Sequence, residues 1–166
     1  MCHADPVTSP SAPELEYIER FARLFEDSGS SRIMGRIFAW LMICEPPEQS
    51  QPELAARLGV SKASVSTEVR ALMSRGLVER TTRPGDRRSY YQIPAGGWAA
   101  LLERRLRVFE EFREVAREGL GLLADAPARR RARLTEMRRV YGHMERALRA
   151  ALVELRAHAG RRTQRR

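Results

Sequence analysis

Cysteine and lysine are both nearly absent from this chain. The two cysteines, Cys2 and Cys44, are too few for a disulfide framework. No CxxC pair or Cys/His cluster has the spacing of a zinc site, and His3, His143 and His158 lie too far apart to form a ligand pair, so a reducing compartment and no metal are expected. No apolar run approaches the roughly 18 residues that cross a bilayer. The opening MCHADPVTSPSAP lacks the apolar core of a signal peptide, so the chain reads as cytoplasmic with no membrane partner. A glycine-rich phosphate loop, a nucleophile motif and a convincing pair of catalytic carboxylates are also missing. That argues against an enzyme and leaves no cofactor to expect.

What is present describes a folded, strongly basic protein. Over 166 residues the hydrophobic fraction is 43% and the charged fraction 31%, enough for one domain with a core, or for a small domain with an oligomerisation element. The formal net charge of +9 points to a polyanionic partner. Lys62 is the only lysine among 30 basic residues. Arginine is therefore a habit of the whole chain, and only position can single one out.

Residues 1–13, with three prolines and no hydrophobic period, read as a flexible arm. From Glu14, the apolar positions Leu15, Ile18, Phe21, Ala22 and Phe25 recur at helical spacing until SGSS interrupts them. A second helix is predicted from about Ser31 to Cys44, with an apolar stripe broad enough to be buried on more than one side, and Pro46-Pro47 closes this 14–45 region. Within 46–96, Ser50-Gln51-Pro52-Glu53 has the form of a capping box that opens a short helix ending at Gly59. Ser61 caps another helix that runs to about Arg75. Leu77–Arg83 and Arg88–Ile93 are strand-like around Pro84-Gly85-Asp86. Two long helices fill 97–158. The first puts Trp98, Leu102, Leu106, Phe109, Phe112, Ala116, Leu120 and Leu123 on one face. In the second, from about Ala128 to His158, Leu134, Met137, Tyr141, Met144, Leu148, Ala151 and Leu155 alternate in steps of three and four. So much apolar face beside so small a core predicts a partner chain, although one face of a helix packed in its own bundle would show the same period. Residues 159–166 read as a basic flexible tail.

The segment QPELAARLGVSKASVSTEVRALMSRG has the form of a helix-turn-helix. Ala55 is small where the helices cross, Gly59 permits the sharp turn, and Val65 plugs the core beneath the second helix. That helix presents Lys62, Ala63, Ser64, Ser66, Thr67 and Arg70 outward, small or hydrogen-bonding side chains that suit the DNA major groove. An ordinary helix pair with a polar outer face would look similar. The hairpin that follows makes the pattern a winged helix-turn-helix, so the predicted fold is mainly α with a small β-hairpin wing and long terminal helices. In that geometry the tip TTRPGDRRSYY flanks the groove-reading helix and reaches the adjacent minor groove. Asp86 would orient Arg88, while Arg83 and Arg87 would contact phosphate, and of Tyr90 and Tyr91 one would pack on the domain and the other line the wing. The plainer reading of the tip is a solvated turn whose charge guards a sheet edge.

The stretch RIMGRIFAWLMICEPPEQSQPELAARLGVSKASVSTEVRALMSRGLVERTTRPGDRRSYYQI resembles the MarR superfamily of transcriptional regulators, and in particular its GbsR-like branch. The Asp-x-Arg wing motif of that family falls on Asp86 and Arg88, which implies Arg88 as the minor-groove residue. The resemblance further implies a homodimer, usually a repressor, that binds double-stranded DNA at a pseudo-palindrome. Its dimer interface would come from the first helix, through Leu15, Ile18 and Phe25, and from the last, through Leu134, Met137, Tyr141, Met144, Leu148 and Leu155. An unidentified small-molecule effector is implied too, between the DNA-binding region and the long helices. After the wing, however, many relatives continue Leu-Thr-x-x-Gly where this chain has IPAGGW, so known ligand pockets do not carry over. Relatives of the GbsR-like branch are linked with choline or osmoprotectant control, and no residue here argues for that ligand. The alternatives are a sequence-indifferent architectural DNA binder and a winged helix that docks on protein. Cys44, at the end of an apolar helix, reads as an inert thiol rather than a redox switch. The run ARRRARL at Ala128–Leu134 reads as a solvated face rather than a second DNA contact.

Overall fold

The computed structural model describes residues 10–163, with side chains as far as Ala157. Residues 1–9 of the expected arm, with Cys2 and His3, lie outside the described residues, as do residues 164–166 of the expected tail and the side chain of His158. The chain divides after Gly97 into two compact units.

In the first unit, helix α1 (Ala12–Asp27) begins earlier than its apolar period suggests. Ser11 and Glu14 form a capping box, the Ser11 N–H and hydroxyl both donating to Glu14 Oε2 at 2.7 Å, so the end of the expected arm is already helix cap. Ser31 caps α2 (Arg32–Ile43) by accepting the Met34 N–H at 3.0 Å. The two helices cross tightly because of Gly35. A Cβ there would stand 2.7 Å from Ala22 Cα and 2.9 Å from Phe25 Cβ. Rings of Tyr17, Phe21, Phe25 and Phe38 follow one another across the contact with centroids 5.6–5.8 Å apart. Helices α3 (Gln51–Leu58) and α4 (Lys62–Ser74) pack beneath, and Ile37, Leu41, Leu54, Leu58, Val65, Val69 and Leu72 share one core with Ile18.

The sheet has one strand more than the sequence suggests. β1 (Gln49–Ser50), β2 (Glu79–Thr82) and β3 (Ser89–Gln92) form an antiparallel sheet in the order β1-β3-β2, with Ser50 and Thr81 both opposite Tyr90. Two residues carry no alternation to read. Ser50 is moreover already legible as a cap, and it serves as both, ending the strand and capping α3 through Glu53.

The second unit is an antiparallel hairpin of α5 (Gly97–Leu122) and α6 (Ala128–Thr163), the latter extending five residues into the expected tail. Arg156 pairs with Glu103, Arg149 with Glu110 and Arg113 with Glu145, in opposite chain directions along the two helices. The face α6 turns inward departs from the predicted heptad. Leu134, Met137, Tyr141 and Leu148, expected to meet a partner chain, are half-buried already in the single chain, and Glu145 and Leu152 are buried there in place of Met144 and Leu155. From Leu134 to Leu152 that face takes 18 residues for five turns, a period of 3.6 rather than the 3.5 of a heptad. On α5, Leu106, Phe109, Ala116 and Leu120 are buried as predicted, whereas Trp98 and Phe112 stay largely exposed. Phe112 stacks on Tyr141, with ring centroids 4.6 Å apart. Among the described residues no helix is long and apolar enough to cross a membrane.

Candidate nucleic-acid interface

The turn between α3 and α4 is made by Gly59, whose φ of 62° belongs to the left-handed region that a side chain disfavours. The Ser61 hydroxyl then accepts the Ser64 N–H at 3.0 Å and starts α4. Val65, Val69 and Leu72 are buried, which fixes the rotation of the helix and turns Lys62, Ala63, Thr67 and Arg70 to the exposed side. Ser64 and Ser66 are half-exposed at its margins. The Ser64 hydroxyl shares a 2.8 Å hydrogen bond with that of Ser61, and Arg70 Nε donates to the Ser66 carbonyl at 3.1 Å, so both side chains lie close along their own helix.

The wing turns at Pro84-Gly85, where the Asp86 N–H donates to the Arg83 carbonyl at 3.1 Å and Gly85 takes a φ of 79°, the arrangement of a type II turn. Asp86 organises the tip. It accepts the Arg88 backbone N–H at 2.8 Å, Arg88 Nε at 2.9 Å, Arg88 Nη2 at 2.7 Å and the Tyr90 hydroxyl at 2.7 Å. Donation from the Arg88 side chain, then the Arg88 backbone, then Tyr90 holds the Asp86 carboxyl far below the usual carboxylate range. The same bonds push the Arg88 guanidinium and the Tyr90 hydroxyl up.

Arg83 points elsewhere than the tip. Its Nε donates to Glu48 Oε1 at 3.1 Å and its Nη2 to the Glu48 carbonyl at 3.2 Å, while its guanidinium lies 4.1 Å from the centre of the Tyr90 ring. It ties the wing to the segment before β1, and in this conformation its Nε and Nη2 donate to Glu48. Arg88 also approaches Glu53 Oε1 at 3.7 Å, so the capping residue of α3 faces the wing. Arg87 is exposed at the tip. The two tyrosines divide as their alternation implies. Tyr91 joins the main core and its hydroxyl accepts from Gln51 Nε2 at 3.1 Å, while Tyr90, fully buried, lies beneath the wing arginines. The roles of Glu48 and Glu53 are not visible in sequence, because their partners are 35 residues away and the linking strand is two residues long.

The residues expected at a subunit interface separate into two groups. Ile18 is fully buried in its own chain's core, which corrects the expectation for it, whereas Phe25 packs on Phe21 and Phe38 and stays half-exposed, and Leu15, at 40%, offers exposed apolar surface. On α6, Met144 and Leu155 are exposed, as are Val140 and Val153, which the heptad does not contain. His143 is exposed on the same helix. Cys44 is buried, its Sγ 3.6 Å from the Pro47 carbonyl oxygen, and burial pushes its thiol up to about 11. The thiolate needed for redox chemistry is thus disfavoured at neutral pH.

Comparison with known proteins agrees with this architecture. A MarR family model matches residues 36–89, and a model described as MmpR5-like MarR family transcriptional regulator matches residues 96–158. The chain is 38% identical over 138 residues to the HTH-type transcriptional regulator MmpR5 of Mycobacterium tuberculosis, covering 83% of this chain and 84% of that protein. The crystal structure of a transcriptional regulator superposes with a TM-score of 0.78 at 36% identity, covering 87% of this chain and 99% of the other. These matches name an MmpR5-like group where the DNA-binding segment alone suggested a GbsR-like one.

Proposed function

This chain belongs to the MarR family of DNA-binding transcriptional regulators, and we propose that it works as a cytoplasmic homodimeric repressor that reads a pseudo-palindromic operator. The observation that carries this reading is the exposed face of α4, where a buried Val65-Val69-Leu72 stripe sets Lys62, Ala63, Thr67 and Arg70 outward with no large apolar side chain among them. Such a face fits the major groove, with Ser64 and Ser66 at its edges. Arg88, braced by Asp86, extends from the wing toward the minor groove, and Arg87 meets phosphate. Arg83 serves the wing's attachment instead. Regulation is by binding rather than by chemistry, and a small-molecule effector would act by changing the separation of the two recognition helices in the dimer. Of the two branches, the MmpR5-like one has the support of the long helices, residues 96–158.

The test is selection from a random duplex pool at physiological salt. An inverted repeat with half-sites roughly 10 bp apart, centre to centre, is expected. Retention without enrichment would establish an architectural binder, and no retention would favour a protein-docking role.

A further inference from the structure

We propose that Tyr90 is the positioning residue of the wing: its hydroxyl anchors Asp86 to the sheet, and Asp86 in turn aims the Arg88 guanidinium at DNA. This rests on the wing reading given above. Arg88 lies at an exposed tip, where a long side chain has many rotamers and a large entropy to lose on binding. Asp86 restrains it by accepting from its backbone N–H, Nε and Nη2, but Asp86 itself sits in a turn held by one backbone hydrogen bond to Arg83. Arg83 ties the start of that turn to Glu48, and what fixes the Asp86 carboxylate itself to the sheet is the 2.7 Å hydrogen bond from the Tyr90 hydroxyl to its Oδ2.

Tyr90 is well placed for this. It is fully buried on β3, the central strand, with β1 on one side and β2 on the other, opposite Ser50 and Thr81. The guanidinium of Arg83 lies 4.1 Å from its ring centre and that of Arg88 5.4 Å, so the ring also supports the arginine it helps aim. A phenylalanine would fill the same space and keep the sheet. Only the hydroxyl reaches Asp86, so its contribution can be removed separately.

The experiment is a double-mutant cycle on the duplex recovered by selection, with Tyr90→Phe introduced into the parent chain and into Arg88→Ala, and melting curves recorded alongside. In the parent, Tyr90→Phe should keep a cooperative melting transition, lowered by no more than one lost hydrogen bond explains, and weaken binding roughly three- to tenfold. In the Arg88→Ala background the same change should alter affinity by less than about twofold, because the residue through which it acts is gone. Equal losses in both backgrounds, or no loss in the parent, would overturn the positioning role and leave the wing reading standing. Parent-like binding by Arg88→Ala alone would overturn the wing reading, and the positioning role with it. Should Tyr90→Phe fail to fold, the Tyr90 hydroxyl proton is read by NMR in the unaltered chain: a slowly exchanging hydroxyl resonance that disappears in Asp86→Ala supports the anchor, and a hydroxyl in fast exchange with water in the unaltered chain overturns it.

Discussion

At the scale of single residues, the most exacting position is Gly35. It carries no turn, yet a methyl group there would meet the backbone of Ala22 at 2.7 Å, an approach that only movement of α1 can relieve. Gly35→Ala is expected to lower stability by about 1–3 kcal/mol, the range for overpacking a close helix crossing, despite the better helix propensity of alanine. A chemical denaturation curve checks it, and a gain in stability would show that the crossing is loose. Asp86 supports a prediction about acid. Its carboxyl is held below its ordinary value, so the stabilisation of the tip is complete above about pH 4, where an unfolded aspartate is ionised, and is lost as pH falls through the lowered folded value. The Arg88 Nε–H resonance should therefore keep its position down to about pH 4 and move only below it. Movement near pH 6 would mean that another group controls the tip.

At the scale of elements, the sequence was most readable where a local rule governs a local shape. Ser50-x-x-Glu53, Ser61 and Gly59 each specify a helix end through atoms within four residues, and α3 begins and ends, and α4 begins, where those signals lie. Readability fell off where the partner is distant. Gln49–Ser50 becomes a strand only because Tyr90 and Tyr91 arrive beside it about 40 residues later, and Arg83 is turned inward only because Glu48 is there. The heptad on α6 misleads for a different reason: over three turns, periods of 3.5 and 3.6 pick nearly the same residues, and they part only near Met144 and Glu145. Glu145 is consequently a buried carboxylate facing α5, paired with Arg113 Nε at 3.2 Å and Arg149 Nη2 at 3.1 Å, both of which keep access to water. Since charges brought out of water regain little from partners that remain in it, Glu145→Leu is expected to leave the melting temperature unchanged or raise it. A marked fall would show that the pairs stabilise the hairpin.

At the scale of the molecule, each chain buries a core in its first unit and leaves much of the apolar surface of its long helices in water. Met144, Val140, Val153 and Leu155 on α6, with Phe112, Val115 and Leu122 on α5, are exposed in the single chain. In the proposed homodimer they are the natural candidates to be covered. Leu155→Glu should cost the single chain less than about 0.5 kcal/mol, as a surface change, while shifting sedimentation from dimer to monomer and weakening operator binding. An unchanged dimer would move the interface elsewhere. The 3.6-residue period of the inner face of α6 also bears on how the hairpin can grow or shrink. In a supercoiled pair, seven added residues leave the seam in phase, so lengths drift in heptads. Here seven residues would rotate everything beyond them by about 20° and begin to carry Leu152 off α5, whereas eighteen would bring it back into place. Length variants of this hairpin should be tolerated best in whole sets of five turns, inserted in both arms together so that Glu103 still meets Arg156.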